Sequence, residues 1–164
     1  MPDESLSPQL IIHAYLQGAF PMADHRAGEV NWYQPRERAI LPLDAFHVRR
    51  SLRRQLNKNA MRCTRDRDFV GVIRGCAEPR PDDPETWISE EIIRAYTRLH
   101  ELGVAHSVEV YASDDAEKAK LLGGVYGLAI GGAFLAESMF SRVPWASQVA
   151  LVHLVGHLRE QGFV

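Results

Sequence analysis

The spacing of apolar and polar positions divides the first hundred residues into a short series of elements. Ser7 followed by Pro8 is a helix-start pattern, Leu10, Ile11, Ala14 and Tyr15 recur at helical spacing, and Gly18 stands where a helix would stop, so a helix is expected over about 8–17. The segment after it carries prolines and glycine and reads as a structured loop, with the apolar stretch at 39–41 predicted as a strand. From 48 to 58 the pattern is amphipathic: Val48, Leu52 and Leu56 form one stripe, and Arg49, Arg50, Arg53, Arg54 and Lys58 occupy the rest of the surface. A helix over about 69–76 leads into the loop EPRPDDPETW, which should be exposed. Ser89 then caps a helix whose Ile92, Ile93, Tyr96 and Leu99 face inward and whose end is marked by Gly103.

After Gly103 the period changes. HSVEVY alternates as a half-buried strand, Asp114 and Asp115 suggest a turn, and LLGGVYGLAIGGAFLAESMF divides at Gly131 and Gly132 into the two strands of a hairpin. Three antiparallel strands in succession are implied. A helix over about 146–161 places Val149, Val152, Val155 and Leu158 on one face, Gly162 stops it, and Phe163 and Val164 read as the beginning of another strand. With no internal repeat or low-complexity run, the expected fold class is α+β in one domain.

Composition changes this picture in few places. At 164 residues and 46% hydrophobic content the chain can bury a substantial core. A net charge of -2 carries no global nucleic-acid signal, so the cations of 48–58 form a local patch. That patch is either a solvated helix face or a surface that grips phosphates. Trp32, Tyr33 and Trp87 fall in loops, where they stack a nucleobase or cover the edge of the core. Cys63 and Cys76 lack CxxC spacing and suggest a reducing compartment, hence the cytoplasm. The acidic, polar N-terminus is unlike a signal peptide and the apolar runs are too short to span a bilayer, so no membrane association is expected.

The candidate chemistry is sparse. His153 and His157 are an i, i+4 pair without a third ligand, and His106 and Glu109 flank a strand with no nucleophile beside them, so neither metal binding nor a covalent mechanism is indicated. Gly123, Gly124 and Gly127 lie in a strand and lack the phosphate-loop pattern, which leaves close backbone approach or a bulge as their role. In FLAESMFS, Glu137 interrupts an apolar strand. A carboxylate removed from water is costly unless a cation or several donors meet it, so Glu137 is either paired, with Arg142 or a core donor, or functional.

The ordered blocks YLQGAFPM, WYQPRERAIL, TWIS, AYTRLHELGVAHSVEVY and LLGGVYGLAIGGAFLAESMFSR resemble the leucyl/phenylalanyl-tRNA protein transferases, and the likeness runs from about Ser7 to Val164. The resemblance implies transfer of leucine or phenylalanine from a charged tRNA to the N-terminal arginine or lysine of a protein, marking it for degradation. It implies no metal or other cofactor, a monomer, and a GCN5-related N-acetyltransferase-like fold. On that basis 1–60 would hold the N-terminal helix, loop and basic helix, and 61–164 the acyltransferase-like core. By the same resemblance Glu137 is the active-site glutamate, Arg50, Arg53, Arg54 and Lys58 hold the tRNA acceptor region, and Trp87 lies at the terminal adenosine. Met22 replaces a family tryptophan there. Val125 and Phe134 would line the apolar pocket for the aminoacyl side chain. In the family the next strand carries an aspartate and a glutamine that activate the amine. Neither occurs before Val164, so the fold is expected to lack its C-terminal strands and the chain to be feeble in transfer. Two other functions stay open: a non-catalytic tRNA-binding fragment, and an acyl-CoA-dependent N-acyltransferase, against which SRVPWAS lacks a glycine-rich turn to meet a pyrophosphate.

Overall fold

Ser7 acts as its position before Pro8 predicts. In the computed structural model, which describes residues 6–80, 84–112 and 120–164, its Oγ accepts a hydrogen bond from the Leu10 amide at 3.3 Å and opens helix α1 (Pro8–Leu16), which buries Ile11 and Tyr15. Next comes an antiparallel hairpin of β1 (Phe20–Ala23) and β2 (Val30–Tyr33). These strands are too short to establish an alternation, and β1 contains a proline, so the pattern predicts only a loop there. The strand predicted at 39–41 does not form: the segment is irregular and Ile40 is 83% exposed. Three apolar residues in a row imitate a strand, but no sheet edge pairs with them.

A 3₁₀ turn (Leu43–Ala45) leads into the basic helix α2 (Arg50–Asn57), whose Leu52 is buried and whose flanking Val48 and Leu56 pack half-buried. A strand that the sequence does not announce, β3 (Met61–Arg65), comes next; MRCTR is half polar because β3 lies at an edge of its sheet. The Asp68 side chain caps α3 (Phe69–Cys76) and Ser89 caps α4 (Glu90–Glu101), where Ile92, Ile93, Tyr96 and Leu99 are all buried.

Strands β4 (Ala105–Ala112), β5 (Leu121–Ile130) and β6 (Ala133–Ser141) join β3 in an antiparallel sheet of order β3-β4-β5-β6. Gly131 and Gly132 both have positive φ, 60° and 82°, the demand of the tight turn that matches strand twist. The expected turn at Asp114 and Asp115 lies outside the described residues. β4 departs from the predicted half-buried alternation, being buried almost throughout. Helices α3 and α4 pack on one face of it, and α5 (Ala146–Glu160) on the other. Phe163 and Val164 form no strand; Phe163 packs half-buried beside α5 and the Val164 amide donates to the Gly132 carbonyl at 3.1 Å.

The result is an α+β fold whose sheet separates two cores. Ile11, Tyr15, Ile73, Tyr96 and Tyr126 belong to the core on the α1, α3 and α4 side. Val108, Val110, Val125, Ala150 and Leu154 belong to the α5 side, against which α2 also packs.

Candidate active site

The register of β5 against β6 runs Gly127 to Ala136 and then Tyr126 to Ser138, so Glu137 faces no partner across the ladder. It is the extra residue of a β-bulge, a device that bends a strand and re-aims a side chain. The effect is visible in its surroundings. Phe134 and Met139 on the same strand pack into the α5-side core, whereas Glu137 meets Tyr15 of α1, with Tyr96 of α4 and Tyr126 of β5 close enough to feel its charge.

The Tyr15 hydroxyl hydrogen-bonds to the Glu137 side chain, and the Tyr15 and Tyr96 hydroxyls lie 2.5 Å apart. With Tyr15 donating to Glu137, Tyr96 donates to Tyr15, giving a chain of two phenols ending on the carboxyl. Burial pushes the Glu137 carboxyl up to about 7, and the Tyr15 hydrogen bond and the attraction of Arg38 only partly oppose it. Arg38 is held in place: Nη2 donates to the Gly18 carbonyl at 2.6 Å and the guanidinium lies 5.3 Å over the Phe20 ring. Arg142 is engaged elsewhere, with Glu78 and with the Leu121 carbonyl at 2.8 Å. A carboxyl that titrates near neutrality can both hold and accept a proton at working pH.

Glu109 shows the opposite solution to the same problem. It is 0% exposed at the centre of β4, and Thr64 and Ser107 each donate a hydroxyl hydrogen bond to it at 2.5 Å, with the Arg67 amide at 3.4 Å. The fold thus surrounds Glu109 with donors.

A model of the leucyl/phenylalanyl-tRNA protein transferases matches residues 40–164, and one of that family's N-terminal domain matches residues 4–36. The chain belongs to this family. A Rubrobacter xylanophilus protein named leucyl/phenylalanyl-tRNA--protein transferase is 54% identical over 159 residues, covering 97% of this chain and 78% of the relative. Its Salinibacter ruber namesake is 52% identical over 163 residues, 99% of this chain and 68% of that protein. A third, from Pelodictyon phaeoclathratiforme, is 49% identical over 154 residues, covering 94% and 77%.

The residues that the family resemblance singles out do not all gather round Glu137. Met22 lies in β1, and the Trp87 carbonyl accepts from the amide of the next residue, Ala23, at 3.1 Å, so these two adjoin one another on the hairpin side. Val125 and Phe134 belong to the other face of the sheet. Val125 is 1% exposed within the core, while Phe134 lines a cavity of about 210 Å³ whose apolar walls include Val108, Leu154, Leu158 and Phe163. Asp66, His106 and His157 stand at its rim; Asp66 Oδ2 and His106 Nδ1 are 2.9 Å apart. Arg50, Arg53 and Arg54 are exposed on α2, which packs beside α5, and Lys58 is exposed at its C-cap. Among the described residues no group of three or more histidine, cysteine or acidic side chains is placed to hold a metal ion.

Tyr15, Tyr96, Tyr126 and Arg38 are the members of the site that the sequence does not single out. The tyrosines sit at positions indistinguishable from ordinary core spacing. All four offered one signal, a place inside the family blocks: Tyr15 opens YLQGAFPM, Arg38 lies in WYQPRERAIL, Tyr96 in AYTRLHELGVAHSVEVY and Tyr126 in LLGGVYGLAIGGAFLAESMFSR.

Proposed function

We propose that this chain moves leucine or phenylalanine from its tRNA to the N-terminal arginine or lysine of an acceptor protein, with Glu137 at the reacting centre. The observation that carries the reading is a carboxyl displaced from the strand ladder by a bulge, half-buried among tyrosines, hydrogen-bonded through Tyr15 to Tyr96, and pushed up to about 7 by desolvation. The acceptor's amine attacks the ester carbonyl; a C–N bond forms, the C–O bond to the tRNA ribose breaks, and the ribose hydroxyl leaves with a proton. Glu137 as carboxylate accepts the proton that the nitrogen sheds as the C–N bond forms and returns it to the departing ribose oxygen, and the Tyr96–Tyr15 chain holds the carboxylate while it does so.

Two further features support the substrates. The exposed cations Arg50, Arg53, Arg54 and Lys58 suit the phosphates of the acceptor region, and Met22 with Trp87 offers apolar surface for the terminal adenosine. The cavity under Phe134 suits an apolar side chain without a β-branch. An antiparallel sheet with helices on both faces accords with a GCN5-related N-acetyltransferase-like core, and dependence on charged tRNA accords with a cytoplasmic setting. Acyl-CoA is disfavoured at the start of α5, where the Ser147 amide is already bonded to Ser141 Oγ at 3.1 Å.

The test is transfer of labelled leucine from tRNA to an arginine-starting peptide by the parent chain and by Glu137→Gln. The substitution should lower the rate by at least about 100-fold, the scale of general acid–base contributions. A parent rate in Glu137→Gln would remove Glu137 from the chemistry.

A further inference from the structure

Tyr126 faces Ser138 across the ladder, at the pair that borders the Glu137 bulge. Its side chain is wholly buried, and its ring is fixed edge-on to both Phe69 and Tyr96, each with centroids 5.8 Å away. The hydroxyl has no hydrogen-bond partner among the described residues, unlike those of Tyr15 and Tyr96. Buried hydroxyls in folded proteins nearly always have one. The titratable groups facing it are Tyr96 from α4, Glu137 from β6 and Cys76 from α3. Tyr96 is engaged with Tyr15, and the Cys76 thiol, pushed up to about 12 by burial, bonds to Ser138. Of these three groups, the carboxyl is the one with acceptor sites still open. Glu137 in turn is faced by Tyr15 from α1, Arg38 from the segment after β2, Tyr96 and Tyr126.

We propose that Tyr126 is a positioning residue for the transfer reaction, its buried hydroxyl being the donor that receives the Glu137 carboxylate in its ionised form. The proposal rests on Glu137 being the reacting carboxylate. A protonated carboxyl can be content with Tyr15, but an ionised one offers about four acceptor sites and needs more than one donor away from water. Of the two partners, the tyrosine ring is clamped. Glu137, as the extra residue of a bulge, has no register partner across the ladder, and its second carboxyl oxygen can accept from Tyr126 while the bond to Tyr15 is kept. Burial keeps the Tyr126 phenol well above its ordinary value, so it remains a donor throughout the working pH range.

Tyr126→Phe keeps the ring and deletes the donor. With carboxyl-labelled glutamate in the 164-residue chain, the Glu137 resonance is identified by its loss in Glu137→Gln and titrated by NMR. The midpoint should rise in Tyr126→Phe by on the order of one pH unit. The acid limb of leucine transfer should move with it, while the KM for tRNA stays unchanged. Should the phenylalanine variant fold poorly, 3-fluorotyrosine at position 126, a stronger donor of nearly the same shape, should lower the midpoint. A midpoint that neither substitution moves overturns the proposal. A moved midpoint with a parent transfer rate in Glu137→Gln keeps the hydrogen bond but overturns its role in transfer, together with the assignment of Glu137.

Discussion

Replacing Glu137 with glutamine should stabilise the chain above neutrality and leave its stability unchanged in mild acid. Below the ordinary carboxyl value of 4.5 the group is protonated whether the chain is folded or not, so its ionisation contributes nothing to the balance. Between 4.5 and about 7 the folded state keeps the proton that the unfolded state has lost. It therefore binds more protons, and stability falls as the pH rises through this window. Above about 7 the loss is complete. At 1.36 kcal/mol per pH unit, the interval from 4.5 to about 7 corresponds to about 3 kcal/mol. For a chain of this size that is on the order of 6–12 °C in Tm. Glutamine retains an oxygen to accept from Tyr15, so the comparison isolates the charge. Thermal melts of parent and Glu137→Gln at about pH 4.5 and about pH 8 would read it: coincident at the lower pH, the variant higher at the upper. A variant that melts below the parent at pH 8 would mean that the ionised carboxylate is compensated in full in the folded chain, and the reasoning from burial would fail.

The basic helix and the glycine beside the bulge make separate demands. Arg50→Ala combined with Arg54→Ala should weaken tRNA binding and reduce the slope of log affinity against log salt by about 1.5–2, as for two lost phosphate contacts; a slope equal to the parent's in a salt titration would return α2 to a solvated face. At Gly127 an added Cβ would come within 2.3 Å of the Leu135 carbonyl oxygen and 2.6 Å of the Phe134 ring. Gly127→Ala should therefore destabilise by about 1–3 kcal/mol, and a parent-like Tm would show that the strands can separate at no cost.

What could be read in the sequence was whatever depends on neighbours along the chain. Helix α4 declares itself because its cap at Ser89 and its buried stripe Ile92, Ile93, Tyr96 and Leu99 lie within three turns. The hairpin at Gly131 and Gly132 declares itself because both residues must take positive φ. What failed depends on partners far away in the chain. β3 is half polar, and only its pairing with the distant β4 makes it a strand. β4 alternates in sequence, yet its fate was decided by α5 arriving from forty residues downstream to cover its second face. Tyr15 and Tyr96, 81 positions apart, look like two core aromatics until their hydroxyls meet.

Glu137 and Glu109 carry that distinction into the site. Each is an acid inside a strand, and local pattern offers no way to rank them. The difference lies in register. Glu109 keeps the ladder's alternation and so falls between hydroxyls supplied by its own strand, Ser107, and by the neighbouring one, Thr64. Glu137 is displaced from the alternation, since Ala136 and Ser138 take consecutive places opposite Gly127 and Tyr126 and leave it none. That displacement carries the carboxyl from the sheet's polar neighbours to a pocket of tyrosines, where burial raises it toward neutrality. A single extra residue thus separates a carboxylate that the fold consumes from one that it leaves available for proton transfer.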